Sequence, residues 1–459
     1  MKKAFFLSLA LLFSTCLISA DGSLDTTFGS GNGYVNAPDG FFATSVAIQA
    51  DEQILVAGAS ADYEFQLVRY NADGTIDTGF GNNGVVIGPK GLLFDVMVQP
   101  DGRIIVGGQD TAGNFQLSRF YAQGYVDSSF GTNGAVVGPN GFCAALGLQT
   151  DSYIIAAGGN NNGEFFVLRY DNNGILDDSF DIGPLGFIED MILQPDGKVV
   201  ACGVDDNGFF SIVRYNTNGT IDTSFGVNGI ATGPQGSATA LVLQPDGNIV
   251  VAGFDLSTPN KMILTRFDGD GALDGSFGTN GIAVGPDGVL NGMILQSDDK
   301  IVVVGQYEDN VRVVRFDSDG DIDIAFGING IAATPKGLFY GASCQSDGKI
   351  VAVGLDDTYS QFLVARYTCN QSLTKTRVLE PIMVPTGQFT ISGTAQNAAQ
   401  VFIVLDDNLV GGTNTNSNGD DTWAYDITLS VPGTYTVRAV SEYKAGNLLS
   451  AGTKRIRVY

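Results

Sequence analysis

Short apolar runs separated by turn residues dominate the chain between residues 21 and 370, and no helical periodicity of useful length interrupts them. The stretch 92–121 shows the pattern clearly. LLFDVMVQ has the length of a strand, and the Pro-Asp-Gly that follows supplies a tight turn, because Pro presets φ and Gly accepts a positive φ. RIIVGGQ and FQLSRFY come next, and the segment from Tyr125 to Val137 returns. The pattern therefore predicts four short antiparallel strands.

Four phrases each occur seven times in the same order, which indicates an internal repeat. An Asp-x-x-Phe-Gly phrase or a relative begins at Asp25, Asp77, Asp127, Asp177, Asp222, Asp274 and Asp323, with gaps of 52, 50, 50, 45, 52 and 49 residues. A Gln-Pro-Asp-Gly phrase or a relative begins at Gln49, Gln99, Gln149, Gln194, Gln244, Gln296 and Gln345. Arg followed by an aromatic residue begins at Arg69, Arg119, Arg169, Arg214, Arg266, Arg315 and Arg366, and each repeat also has a Pro-x-Gly phrase.

A four-stranded sheet repeated about every 50 residues is typical of a propeller blade, since one such sheet cannot bury both faces without neighbours. The order of the phrases also predicts how the ring closes. Residues 21–36 contain a fourth-strand phrase before any first strand, and the repeats end at 370 with a third strand. We therefore expect seven blades, with 21–36 adding the outer strand of the last blade. The irregular phrase DDSFDIGPLG predicts a short outer strand in the third blade.

The phrases LQPDGKVV, RYNTNGTIDTSFG and GVNG resemble the delta-60 repeats of bacterial exported proteins. The resemblance covers residues 21–370, and it implies a β-propeller. It implies little about activity.

Residues 380–459 break the repeat. FTISGTA, VFIVLDD, TWAYDITL and GTYTVRAVSEY are strand-like runs separated by Gly, Asn and Pro turns. They predict a small β-sandwich after a linker at 371–379, and the sequence resembles bacterial immunoglobulin-like domains. The expected fold class is thus all-β: a seven-bladed β-propeller followed by an immunoglobulin-like β-sandwich.

The first twenty residues have the pattern of a signal peptide. Lys2 and Lys3 precede the apolar run AFFLSLALLF, and small residues end at Ala20. We expect cleavage after Ala20 and an exported protein that is secreted, periplasmic or associated with the cell surface. Cys16 fits a lipid-anchoring motif poorly. We expect the remaining cysteines to be buried as small hydrophobic side chains: Cys143, Cys202, Cys344 and Cys369. The only disulfide to check is Cys344 with Cys369.

Composition narrows the possible chemistry. The 459 residues include no His, so imidazole bases, Ser-His-Asp triads and His-ligated metals are excluded. With 24 basic and 49 acidic residues the net charge is −25, which repels nucleic acids and anionic lipid headgroups. We expect no nucleic-acid partner, no membrane insertion after signal removal, and a monomer.

Two groups of charged residues have a structural interpretation beside a functional one. Each repeated Arg except the last, Arg366, precedes an Asp by eight residues, as in Arg69 and Asp77, and we expect bracing ion pairs between strands, with anion binding as the alternative. The acid-rich turn with Asp317, Asp319 and Asp321 is an ordinary hairpin turn or a calcium site. No other cofactor is expected.

Carboxylates on the first strands give the candidate ligand site. Four residues before the repeated Gln the copies are mostly small, as expected near a propeller axis, but two are Asp95 and Asp190. With Glu189 they could bind a ligand or a cation in the channel, or simply be solvated acids. We expect a non-enzymatic binding or cell-surface interaction scaffold, with an unknown protein or a glycan as partner. The alternatives are a carbohydrate-active hydrolase or lyase, and a sugar-binding lectin.

Overall fold

The structure is a computed structural model. It describes residues 21–37, 40–149, 151–160, 164–177, 182–185, 187–332, 335–358 and 360–369, and the strands between 377 and 458. The signal peptide expected at 1–20, including Cys16, lies outside these ranges. The chain divides into two compact units, Met1–Cys369 and Asn370–Tyr459, which are described separately. No helix of the described residues is long and apolar enough to cross a membrane.

The first unit is built from strands and one short 3₁₀ helix, Gly29–Gly31. The strands are β1 Tyr34–Asn36, β2 Gly40–Ile48, β3 Ile54–Ser60, β4 Glu64–Tyr70, β5 Val85–Val98, β6 Ile104–Asp110, β7 Asn114–Phe120, β8 Ala135–Asn140, β9 Phe142–Leu148, β10 Ile154–Gly159, β11 Glu164–Tyr170, β12 Leu176–Asp177, β13 Ile182–Leu185, β14 Phe187–Leu193, β15 Val199–Val204, β16 Phe209–Tyr215, β17 Ile230–Gln235, β18 Ser237–Leu243, β19 Ile249–Phe254, β20 Lys261–Phe267, β21 Ile282–Asp287, β22 Val289–Leu295, β23 Ile301–Tyr307, β24 Asn310–Phe316, β25 Gly337–Cys344, β26 Ile350–Asp356 and β27 Phe362–Tyr367.

These strands form antiparallel sheets in which neighbours along the chain are neighbours in space. The strand orders are β1-β27-β26-β25, β2 through β8 in sequence, β12-β11-β10-β9 with β13 also on β11, β14 through β17, β18 through β21, and β22-β23-β24. The first strands of successive repeats contact one another in the order β2, β5, β9, β14, β18, β22 and β25, and β25 contacts β2. The sheets therefore surround an axis, and the fold is an all-β propeller.

Strand β5 is 14 residues long because it belongs to two sheet segments. Its first part pairs with β4 and its second part with β6. The change of direction falls at Gly91, where φ is 151° and where a Cβ atom would lie 2.2 Å from the Gln109 carbonyl oxygen. Only glycine fits that approach, which accounts for the Gly of the Pro-x-Gly phrase.

The two ends of the unit meet in one sheet. Strand β1 pairs antiparallel with β27, with Tyr34 opposite Ala365, and Asp25 lies in an ion pair with Arg366 at 2.9 Å. Asp21 lies in a second ion pair, with Arg315.

Two sheets have outer strands that are described only in part. In the third repeat, β12 and β13 both pair with β11, and residues 178–181 between them lie outside the described ranges. Beside β24, isolated bridges at Val314–Ile331 and Asn310–Lys336 lie on either side of residues 333–334, which are also outside those ranges.

The core lies between adjacent sheets. It contains the Phe residues of the Asp-x-x-Phe-Gly phrase, and Phe80, Phe130 and Phe225 are each 0% exposed. Full burial of one such side chain stabilises the fold by roughly 1.5–3 kcal/mol. Each repeat whose phrase lies within the described residues therefore contributes one aromatic anchor to the contact between sheets.

The second unit is also composed of strands. They are β28 Arg377–Leu379, β29 Met383–Val384, β30 Gly387–Thr394, β31 Ala398–Leu405, β32 Asn408–Asn414, β33 Thr422–Leu429, β34 Gly433–Tyr443 and β35 Leu448–Val458. They form a sheet β28-β30-β33 and a sheet β29-β35-β34-β31-β32, in which β29 is parallel to β35. Strand β28 falls within the stretch 371–379 that the sequence suggests as a linker.

Candidate functional site

The repeated Arg side chains are structural braces. Their Asp partners lie within 2.5–2.9 Å, in the pairs Arg69–Asp77, Arg119–Asp127, Arg169–Asp177, Arg214–Asp222, Arg266–Asp274, Arg315–Asp323 and Arg366–Asp25. Arg119 also donates to the Asn172 carbonyl of the next repeat, and its guanidinium lies 4.6 Å from the centre of the Phe130 ring. One side chain thus joins a hairpin, a core aromatic and the neighbouring repeat.

Electrostatics favour the charged form of these Asp residues. Burial opposes ionisation of Asp127, but hydrogen bonds from Ser129 and the charge of Arg119 outweigh it and hold its pKa below the usual value. Because the guanidinium groups are occupied by carboxylates and carbonyls, they offer no anion site.

The acid-rich turn does not gather its carboxylates. Asp317 lies 3.2 Å from Lys300, and Asp319 lies 3.8 Å from Arg266. Within the described ranges, no group of three or more His, Cys, Asp or Glu side chains could hold a metal ion. The calcium site at Asp317, Asp319 and Asp321 therefore stays a prediction, which the arrangement of these side chains does not support.

The described cysteines are all free, including Cys344 and Cys369. Cys143, Cys202 and Cys369 are buried, as expected for small hydrophobic side chains.

Asp95 and Asp190 lie on first strands and connect adjacent sheets. Asp95 accepts hydrogen bonds from the Ser45 hydroxyl and the Leu146 N–H, both at 2.8 Å, and so joins three successive repeats. Asp190 accepts from the Leu241 N–H of the next repeat at 2.9 Å. Each carboxylate also accepts its neighbour's N–H on the same strand. Their oxygens are therefore used in holding the inner strands together.

Burial makes these two carboxyls weak acids. It raises the pKa of Asp95 to about 6, although hydrogen bonds from Ser45 and Leu146 work in the opposite direction. Burial likewise raises the pKa of Asp190 to about 7, and the negative charges of Asp95 and Glu189 add to this effect.

Glu189 has a different environment, because it faces a cavity of about 510 Å³ on the axis. The cavity lies at the ends of the first strands nearest the Pro-x-Gly turns. Its lining includes the residue five places before the repeated Gln in every repeat: Thr44, Phe94, Ala144, Glu189, Thr239, Asn291 and Tyr340. Phe42, Phe142 and Gln109 complete the wall. We call this space the axial cavity.

A β-bulge places these seven side chains on the axis. The pairing of β5 with β6 shifts between Leu93 and Asp95, which leaves Phe94 as the extra residue. The other six lining residues of this set occupy the corresponding place on their strands. A bulge turns the extra side chain out of the normal alternation, and here it turns seven side chains towards one space.

Of the three predicted ligand residues, only Glu189 lines the axial cavity. Asp95 and Asp190 follow the lining positions by one residue and contact the backbone of neighbouring repeats instead. The sequence did not indicate Phe94 and Tyr340, because the candidate residues were those four places before the repeated Gln, whereas these two lie five places before it. The seven residues five places before Gln vary widely in size and polarity, and this variation is the feature of the sequence that could have indicated them.

Comparison with known proteins identifies the fold independently. Six segments match the family described as "Domain of unknown function (DUF5122) beta-propeller": 49–80, 99–130, 194–225, 244–277, 296–326 and 345–370. The protein is a β-propeller. The matches and the sheet arrangement support a bacterial member of this fold. Each matched segment runs from the repeated Gln to the Asp-x-x-Phe-Gly phrase or into a third strand, and the repeat that begins at Gln149 is not among them.

The solved structures that are similar to this chain are distant in sequence. The BP39L lectin from Burkholderia pseudomallei is 13% identical, with a TM-score of 0.54 over 72% of this chain and 96% of the lectin. A putative gluconolactonase is 15% identical (TM-score 0.35, 59% and 87% covered). PorZ, a surface component of the type-IX secretion system of Porphyromonas gingivalis, is 8% identical (TM-score 0.32, 91% and 81% covered). No curated protein matches in sequence. At these identities the likeness to the lectin concerns the fold alone.

Proposed function

We propose that the first unit is a seven-bladed propeller of delta-60-type repeats, spanning 21–370. The support is the succession of seven first strands around the axis. In this interpretation the sheet from β2 to β8 contains two blades that share β5. The three-stranded sheet β22-β23-β24, with its isolated bridges, is a further blade. The pairing of β1 with β27 closes the ring.

We further propose that the second unit is an immunoglobulin-like β-sandwich. Its support is the division of eight strands into a three-stranded and a five-stranded sheet, together with the sequence resemblance of 380–459.

The function that we propose is non-enzymatic binding of a small ligand or of the end of a larger one, by an exported protein. The observation that carries this proposal is the axial cavity, to which each of seven repeats contributes a bulged side chain. Its volume falls within the range of about 300–1,000 Å³ that is usual for small-molecule sites. Its lining combines aromatic rings with a few polar groups, as such sites commonly do. Export rests on the signal-peptide pattern of residues 1–20.

Carbohydrate hydrolysis is the weaker alternative. A glycosidase of the usual kind needs two carboxyl groups on either side of the bond that it cleaves. Among the described residues that line the axial cavity, Glu189 is the only carboxylate, because Asp95 and Asp190 hold backbone N–H groups. A lectin remains a candidate, since sugars bind through aromatic faces and amide groups, and the lectin from Burkholderia pseudomallei shares the fold.

The test uses purified protein beginning at Asp21, applied to a glycan array, a metabolite library and chromogenic glycosides. We expect binding without turnover. Phe94→Ala should weaken binding by about tenfold, the usual scale of a lost aromatic contact with its buried area. Tyr125→Ala is the matched control, because Tyr125 is exposed on the turn after β7. Turnover of a glycoside would refute the non-enzymatic proposal, and equal losses in both variants would refute the axial cavity as the site.

A further inference from the structure

The axial cavity has an unbalanced charge. Among the lining residues that the structure describes, Glu189 is the only acidic side chain, and none is Lys or Arg. Asp190 and Asp95 lie directly behind Glu189 and Phe94 on the same strands. Glu189 thus brings a negative charge into the cavity, and the carboxyl groups of Asp190 and Asp95 add to the negative potential from outside its lining.

Glu189 also differs from the other carboxylates of the propeller in its contacts. The repeated Asp residues are paired with Arg, and Asp95 and Asp190 accept backbone hydrogen bonds. Within the part of the chain that the structure describes, no hydrogen bond or ion pair involves the Glu189 carboxylate. Glu189 is exposed, so an ammonium group that enters the axial cavity would meet a carboxylate that these contacts leave available.

The polar groups of the lining present acceptors. The Thr44 hydroxyl donates to the Leu93 carbonyl, and the Thr239 hydroxyl donates to the Leu290 carbonyl, each at 2.9 Å. Gln109 donates its amide N–H groups to the Gly113 and Gly141 carbonyls. Asn291 donates to the Phe339 carbonyl at 2.7 Å. Because these donors are used within the protein, the polar groups of the lining have mainly acceptor capacity left, and a ligand rich in donors complements them.

The aromatic part of the wall is also suited to a positive charge. The rings of Phe94 and Phe142 lie 5.7 Å apart and meet at 62°, so that they form a corner. Tyr340 and Phe42 add further rings to the lining. The faces of aromatic rings attract cations, and an arrangement of several rings is how proteins recognise ammonium groups.

We propose that the axial cavity binds a small organic cation, a primary or quaternary ammonium compound, with its charge between Glu189 and the Phe94–Phe142 corner. This inference rests on the proposed binding function and names the ligand class. The remaining donors of the ligand hydrogen-bond to the acceptors of Thr239 and Asn291.

Two matched pairs of probes test the inference on the protein beginning at Asp21. Glucosamine and glucose share one ring and differ in an ammonium group. Choline and dimethylbutanol, its neutral carbon analogue, have the same shape and differ in charge. Calorimetric titration should show each cation binding at least tenfold more tightly than its neutral partner.

Variants connect the difference to the proposed residues. Glu189→Gln should reduce cation affinity tenfold or more and leave the melting temperature unchanged. Glu308→Gln removes the same charge from an exposed turn and should have no effect. Phe94→Leu keeps apolar volume but removes a ring, so that choline binding should fall.

The outcomes separate this inference from the proposed function. Neutral probes that bind as tightly as the cations, or a Glu189→Gln variant with full cation affinity, would overturn the cation assignment and leave the binding function in place. If the cations, the neutral probes, the glycan array and the library all gave no binding, both would fail.

Discussion

At the residue scale, the same residue type does two different jobs in this propeller according to its surroundings. Asp127 is 0% exposed and stays charged beside Arg119, whereas burial raises the pKa of Asp95 to about 6. The difference is the partner: a guanidinium compensates the lost hydration of a carboxylate, and neutral N–H and O–H donors compensate it only in part. An Asp that is paired with Arg, such as Asp127, stabilises the contact between repeats. Asp95 instead holds the inner strands together near the axis.

The Arg–Asp brace leads to a prediction about burial. Asp127→Asn should lower the free energy of unfolding by about 3 kcal/mol, because it leaves the buried Arg119 charge unpaired. Asp274→Asn removes the same carboxylate from a pair whose Asp side chain is 22% exposed. There water already weakens the pair by reaching the carboxylate, and Asp319 lies 3.8 Å from Arg266, so that the loss should be smaller, about 1 kcal/mol. Urea denaturation of the two variants compares them directly. Equal losses would contradict the argument from burial.

At the element scale, the repeated phrases were sufficient to predict the strands. Alternation, Pro-Asp-Gly turns and the 50-residue period are local signals, and the structure has strands at β5, β6 and β7 where they predict them. The Arg69–Asp77 contact was also predictable, because two residues eight apart face each other across a tight hairpin. The irregular third outer strand followed from the missing Gly-x-Asn-Gly.

The lining of the axial cavity was not predictable in the same way. Simple alternation places Phe94 and Asp95 on opposite faces of β5, and the polar residue was the natural candidate for a channel. The bulge between Leu93 and Asp95 changes the alternation at that point. A bulge depends on the pairing of two strands and on the neighbouring repeat, so a single strand sequence does not reveal it. Chemical type thus led to Asp95, Glu189 and Asp190, and geometry selected Glu189 among them and added its aromatic neighbours.

The pairing of β1 with β27 suggests a complementation experiment. A protein that begins at Ala37 lacks β1, Asp21 and Asp25, so that the edge of β27 and the charge of Arg366 lose their partners and Arg315 keeps only Asp323. We expect a clearly lower melting temperature than that of the protein beginning at Asp21. A synthetic peptide of residues 21–36 should restore it, because backbone pairing and both ion pairs would form again.

The control for that experiment is a peptide of the same composition in scrambled order. It carries the same charge and should not restore the melting temperature. A truncated protein as stable as the longer one would show that the ring does not depend on the pairing of β1.

At the scale of the whole molecule, acidity and architecture combine at the axis. A net charge of −25 on 459 residues repels anionic partners everywhere, but surface charges are screened by salt over about 10 Å. Charges inside the axial cavity are screened much less, because protein replaces the surrounding water. The acidic composition of the whole protein therefore becomes a local preference for cations at the axial cavity, where carboxyl groups of several repeats lie close to one another.

This preference should depend on pH. Glu189, Asp95 and Asp190 are the acids at the axial cavity; removal of water raises the pKa of each, to about 6 for Asp95 and about 7 for Asp190. Asp95 and Asp190 therefore gain negative charge as the pH rises from 5 to 8. Cys143 and Cys202, which pack beside them, stay protonated because burial raises their pKa values. Choline is the suitable probe, since its own charge does not change. Its affinity should increase over this range.

Linkage gives the same prediction a second readout. If ionised Asp190 favours the cation, bound choline must lower the pKa of Asp190 by the same free energy. Calorimetry at pH 7 in two buffers of different ionisation enthalpy would detect the released protons. Asp190→Asn should reduce both the proton release and the increase of affinity with pH, and Glu308→Gln should change neither. A choline affinity that stays constant between pH 5 and 8 would mean that the carboxyl groups at the axis do not act on the ligand.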